Sequence, residues 1–105
     1  MSAMRRTSTE ERLCALAHGD LGALALELPA ALDGETSTLV QIAALVALDG
    51  PLVSWVAQLD AADDAQLDLE QILGTLVAIA PIVGTLRTVA AGRKIVRAAG
   101  LVDEV

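Results

Sequence analysis

The chain has 105 residues, enough for one core and too few for two domains of ordinary size. Its hydrophobic share is 54% and its mean hydropathy +0.58, yet it holds one Trp and no Phe or Tyr, so the excess is Ala, Leu and Val, which suit closely packed helices. A net charge of −7 and a pI near 4.4 argue against a nucleic-acid partner, because a phosphate backbone repels such a surface and asks for a basic one.

So much apolar surface on one small domain points to burial between subunits, and a homo-oligomer is expected. Cys14 is the only cysteine, which leaves no internal disulfide, no CxxC and no cysteine-rich metal site. The opening MSAMRRTSTEER leads into a charged amphipathic stretch instead of an apolar one, so no secretory leader is read there and a cytoplasmic location is expected. Positive charge is segregated. Arg5, Arg6 and Arg12 lie near the start and Arg87, Arg93, Lys94 and Arg97 near the end, with no Lys or Arg between. The basic ends either pair with the acidic middle, within or between subunits, or complement a helix C-terminus and stay solvated.

Along the chain, Ser8 and Glu11 fit a capping box, and Leu13, Leu16 and Ala17 mark an apolar face, which predicts a helix over residues 9–18 stopping at Gly19. Cys14 and His18 share a face of it, but two residues make no metal site, and a buried Cys beside a helix-end His is the expected reading. Residues 20–28 read as a short helical turn ended by Pro29. A second helix over 35–48 is closed by Asp49-Gly50; its Leu39, Ile42, Ala43 and Val46 form a stripe, and its other faces are apolar too, so burial on several sides is expected. Pro51 opens a third helix with Leu52, Val53, Val56 and Leu59 as its expected core face, running into Asp60, Asp63 and Asp64. With no His nearby, those carboxylates read as a solvated acidic surface and not a metal cluster.

Asp68 is an N-cap for a fourth helix from about Leu69 that carries Ile72, Leu73, Leu76, Val77 and Ala80. Pro81 predicts a break between Ala80 and Ile82, followed by a last helix over residues 82–99 that ends at Gly100. The uncharged run over 71–86 contains Gly74, Pro81 and Gly84 and is short for a membrane span. No segment alternates with the period of a strand. The fold class is all-α, a compact domain of about five to six helices.

The order of elements and the stretch LDGETSTLVQIAALVALDGPLVSWVAQLDAADDAQLDLEQILGTLVAIAPIVGTL resemble the carboxymuconolactone decarboxylase family, which includes the alkylhydroperoxidase D-like proteins. The resemblance covers about residues 32–99, leaving 1–31 as an N-terminal helical extension of a single domain over 1–105. In the family a buried helix and tight loop precede a helix bearing a Cys-x-x-Cys-x-x-x-His pattern, an Ala four residues after the His, an acidic turn, and a helix with a Gly/Pro break. Here Ala62 looks like that Ala, DAQLDLEQI like the acidic turn and IAPIVG like the break. The resemblance implies an alkylhydroperoxidase D-like fold assembled as a homotrimer or homohexamer.

On that alignment Pro51, Ser54 and Gln58 stand where the motif has Cys, Cys and His, and Gln41 is the only polar residue near the place of an upstream Glu. Pro has no nucleophile, a Ser hydroxyl is not oxidised through a sulfenate, and Gln exchanges no proton near neutral pH, so no CxxC-dependent peroxidase activity is expected. No catalytic residue, metal or cofactor is assigned. The pocket candidates are Gln41, Ser54, Trp55 and Gln58, with Arg87 and Arg93 as cations that a neighbouring subunit could deliver. For Ser54 and Gln58 the simpler expectation is a mutual hydrogen bond or a subunit contact; for Trp55 it is a core or interface anchor.

The leading expectation is a non-catalytic structural or ligand-binding homo-oligomer, with itself and a small-molecule ligand as partners. Its competitor is a cofactor-free enzyme acting on a small carboxylate or lactone, which needs a cation that the core does not supply before Arg87. Membrane association through residues 36–48 and 71–86 is a third, disfavoured class.

Overall fold

A computed structural model describes residues 7–24 and 32–101. The chain divides into two compact units, Met1–Ala31 and Leu32–Val105.

The first unit contains helix α1, Ser8–Ala17. Its cap is Thr7 and not Ser8: the Thr7 side chain accepts from the Glu10 backbone N–H at 3.1 Å. Two overlapping hydroxyl/Glu pairs share the same spacing, and the earlier hydroxyl takes the role. Gly19 at φ +87 ends the helix, and a 3₁₀ turn follows over Leu21–Leu24, steadied by Asp20 accepting from the Gly22 N–H at 3.0 Å. The remainder of the expected 20–28 turn, with Pro29, lies outside the described residues. No α1 residue is buried, and Leu13 is 65% exposed, so the described residues of the first unit do not bury the apolar face read from the sequence.

The second unit has four helices. Helix α2, Gly34–Ala47, starts at Asp33, whose carboxylate accepts from the Thr36 N–H at 2.7 Å; that backbone bond holds the Asp33 carboxyl below its ordinary range. The helix closes with Asp49 at φ 51 and the Gly50 N–H bonded to the Leu45 carbonyl at 3.0 Å, so the chain reverses in a few residues. Pro51 then holds an extended conformation and caps α3, Leu52–Asp64. Asp68 and Gln71 form a reciprocal capping box at the start of α4, Leu69–Val83, and Gly84 separates it from α5, Thr85–Ala98.

Helix α2 packs on α3, α4 and α5, and α5 packs on both α3 and α4, so α2 and α5 meet in the middle while α3 and α4 lie on opposite sides. The core takes two residues from each helix: Ile42 and Val46, Trp55 and Ala62, Ile72 and Leu76, Ala91 and Ile95. The all-α class holds among the described residues, with five α-helices and one 3₁₀ turn. No helix among them is long and apolar enough to cross a membrane.

Three expectations are corrected. The core face of α3 is Trp55 and Ala62 with half-buried Leu59, while Val53 and Val56 are exposed; burying the large indole in one place sets the rotation of the helix. Pro81 does not break α4. The helix runs through it to Val83 and stops at Gly84, whose φ of 93 and ψ of 158 only Gly adopts readily, and α5 therefore begins at Thr85 and not Ile82. On α4, Leu73 and Val77 face outward, because the stripe that meets the core is Ile72, Leu76, Ile79 and Val83, spaced i, i+4, i+7 and i+11.

Candidate functional site

The positions singled out by the resemblance fall at the α2–α3 contact. The Asp49-Gly50-Pro51 turn sets the register of α3, so that Trp55 points into the core while Ser54 and Gln58, one turn apart, lie half-buried beside it. The Gln58 Nε2 donates to Gln41 Oε1 on α2 at 3.0 Å. Two of the candidate side chains are thus joined, and Gln58 bonds to Gln41 and not to Ser54. This pair fixes two helices against each other with neutral amides, which neither exchange protons near neutral pH nor attack a substrate. Trp55 is 1% exposed and among the largest fully buried side chains, a core anchor with no face left for a ligand.

The cation candidates go elsewhere. Arg87 donates through Nη1 to the Ala47 carbonyl at the C-terminus of α2, where the unpaired carbonyls carry partial negative charge. Lys94 donates through Nζ to Asp49 Oδ1 and to the Gly50 carbonyl, both at 2.9 Å. The hydrogen bond from Lys94 and its charge hold the Asp49 carboxyl below its ordinary value, with a smaller contribution in the same direction from Arg87. Two of the four C-terminal bases therefore complement the end of α2 and its turn within the chain, and Arg93 is exposed on α5. Arg87 does not enter the Gln41–Gln58 contact.

Hollows among the described residues lie away from these positions. One of about 350 Å³ lies in the first unit against Glu11, Arg12 and Asp20. Another, of about 410 Å³, lies at the end of the helical bundle; Leu59, Ala62, Leu67 and Ile72 line it, with Ala98 and Leu101 from the far side and Asp60 and Asp63 at its wall. An apolar floor beside two carboxylates suits a cationic amphiphile and repels a carboxylate substrate. Only packing brings these helix ends together, so no local pattern announces the hollow.

Asp60, Asp63 and Asp64 are exposed, and no group of three His, Cys, Asp or Glu among the described residues is placed to hold a metal ion. In α1, Cys14 is half-buried and the His18 Nδ1 donates to the Cys14 backbone carbonyl at 2.7 Å, so the imidazole serves the helix end. Compared with known proteins, the chain matches no family model, no curated protein and no solved structure.

Proposed function

We propose that this protein is a homo-oligomeric structural or ligand-binding protein without catalytic chemistry of its own, a cytoplasmic relative of the carboxymuconolactone decarboxylase type. In this reading the helix that carries the thiol motif keeps its packing residues, Trp55 and Ala62, and lacks the reactive ones. The assembly would be a trimer or a dimer of trimers, as the resemblance implies.

One observation carries the reading. Every helix of the second unit leaves large aliphatic side chains in solvent: Val40 on α2, Val53 on α3, Val77 and Ile82 on α4 and Leu86 on α5, with Ile82 and Leu86 at 86% and 87% exposure. Burying one such side chain contributes roughly 1.5–3 kcal/mol, so a surface of this kind favours association over solvation. The enzymatic alternative lacks comparable support, since Arg87 is engaged at the α2 carboxyl end and the larger hollow is walled by carboxylates.

The test joins mass and turnover. Light scattering should give a multiple of the 10.8 kDa chain mass, and organic hydroperoxide with a dithiol reductant should be consumed no faster than in buffer. Turnover of hydroperoxide that survives Cys14→Ser would refute the non-catalytic reading.

A further inference from the structure

Helices α3 and α5 carry matching outward stripes. On α3 the residues at i, i+3, i+7 and i+11 are Val53, Val56, Asp60 and Asp64; on α5 the same spacing gives Leu86, Val89, Arg93 and Arg97. Those positions share one helix face, because their spacing tracks the helical period. All eight are exposed, the apolar ones by 73%, 43%, 87% and 45% in that order. Read in chain direction, both stripes run from two aliphatics to two charges. The charges are acidic on α3 and basic on α5.

The two helices also run in the same direction within the subunit. The start of α5 reaches the end of α2 through Arg87, and its end, at Ala98, shares a hollow with Leu59, Ala62 and Asp63 near the end of α3. Their mutual contact uses other faces, with Trp55 and Ala62 on one and Ala91 and Ile95 on the other in the core. Among the described residues the ion pair within the subunit is Lys94–Asp49; Arg93 and Arg97 point outward with Asp60 and Asp64 unclaimed by it.

We propose that the occupant of each stripe is the other stripe on a second copy: α3 of one subunit lies parallel to α5 of the next, Val53 and Val56 against Leu86 and Val89, Asp60 and Asp64 against Arg93 and Arg97. Opposite charges at one end and aliphatics at the other fix both direction and register, since an antiparallel or slipped pairing sets charges against Leu and Val. The contact is heterologous, joining two different surfaces, and such contacts propagate into rings or fibres. A rotation about an axis along the helices preserves chain direction. Because α3 and α5 already run the same way within the subunit, parallel pairing between subunits is compatible with a closed ring. This inference rests on the homo-oligomeric reading and specifies its contact.

Sedimentation velocity on five full-length chains tests it: the native chain, Asp60→Arg/Asp64→Arg, Arg93→Asp/Arg97→Asp, the four substitutions combined, and Leu73→Asp on the outer face of α4. Either reversal alone places like charges across the contact and should weaken association by about a hundredfold, and the combined chain, with complementarity restored, should recover it. Circular dichroism checks that helix content is retained, as expected for exposed positions. In a Cys14→Ser background, oxidation of a mixture of Val53→Cys and Leu86→Cys chains should give a disulfide-linked dimer that neither chain gives alone.

Association of the native chain that persists in both reversals, or that is lost instead on Leu73→Asp in α4, overturns the α3–α5 contact and leaves the oligomeric reading standing. Failure of the combined chain to recover also overturns the contact. A monomeric native chain overturns both.

Discussion

Trp55 anchors the core of the second unit, and its loss should be costly in proportion. Trp55→Ala is expected to destabilise by about 3–5 kcal/mol, because the cavity left by an indole among Ile42, Val46 and Ile95 cannot collapse fully; urea unfolding followed by circular dichroism measures it. As the single Trp, buried at 1% exposure, it should also emit at shorter wavelength in the native chain than in the unfolded one. Asp49 gives a pH signature. Its pKa is lowered in the folded state by Lys94, so the stabilisation is present above the unfolded value of 3.8 and is lost as pH falls through the lowered folded value. Lys94→Met should therefore lower stability at neutral pH and reduce the stability lost between neutral and about pH 3, as read from urea midpoints. If Lys94→Met leaves both midpoints unchanged, the pairing at the α2–α3 turn contributes nothing. At this scale the sequence revealed which residues matter more readily than what they do. A lone Trp in an apolar helix was recognisable as an anchor, whereas the pairing of Gln58 with Gln41 and not Ser54 depends on how two helices meet.

At the level of elements, caps and turns were legible to within a residue because they are local, the cap of α1 falling on Thr7 where Ser8 was expected. Asp49-Gly50 and Asp68 sit at helix boundaries as their chemistry requires. The end of α4 was not, since Pro81 and Gly84 compete to stop it and the outcome depends on which cost the chain meets. A Pro in a helix removes one N–H, which here leaves the Val77 carbonyl without its helical donor; Val77 is exposed, so water can serve that carbonyl and the helix continues. Gly84 instead adopts a backbone conformation that an L side chain enters at a cost. Gly84→Ala should destabilise by about 1–3 kcal/mol from backbone strain alone, because a Cβ there meets nothing within 4 Å. Pro81→Ala should stabilise, by restoring the bond to Val77. A higher melting temperature for Pro81→Ala than for the native chain, and a lower one for Gly84→Ala, would identify Gly84 as the true hinge; the reverse order would return that role to Pro81. The rotation of α3 was also illegible. Val53, Val56, Leu52 and Leu59 make as regular a stripe as Trp55, Leu59 and Ala62, and hydrophobicity alone does not say which one the core receives and which one is left for another surface.

For the whole molecule, composition pointed to closely packed helices, and the described residues are helical throughout their regular structure. The uncharged run over 71–86 folds into parts of two helices separated by Gly84, which is why its hydropathy does not make a span. What composition left open was where the surplus apolar surface goes. Eight buried residues form the core of the second unit, half-buried Leu45, Leu59, Leu67, Ile79 and Val83 pack against it, and further aliphatics stay exposed on the outsides of α2, α3, α4 and α5. In the proposed reading, copies of the chain cover these outer faces. Sedimentation velocity of the native chain from sub-micromolar to tens of micromolar concentration tests this most directly. Association into one species of integral multiple of 10.8 kDa, dissociating on dilution or persisting throughout, is the expected result; a single monomeric boundary at every concentration would contradict it.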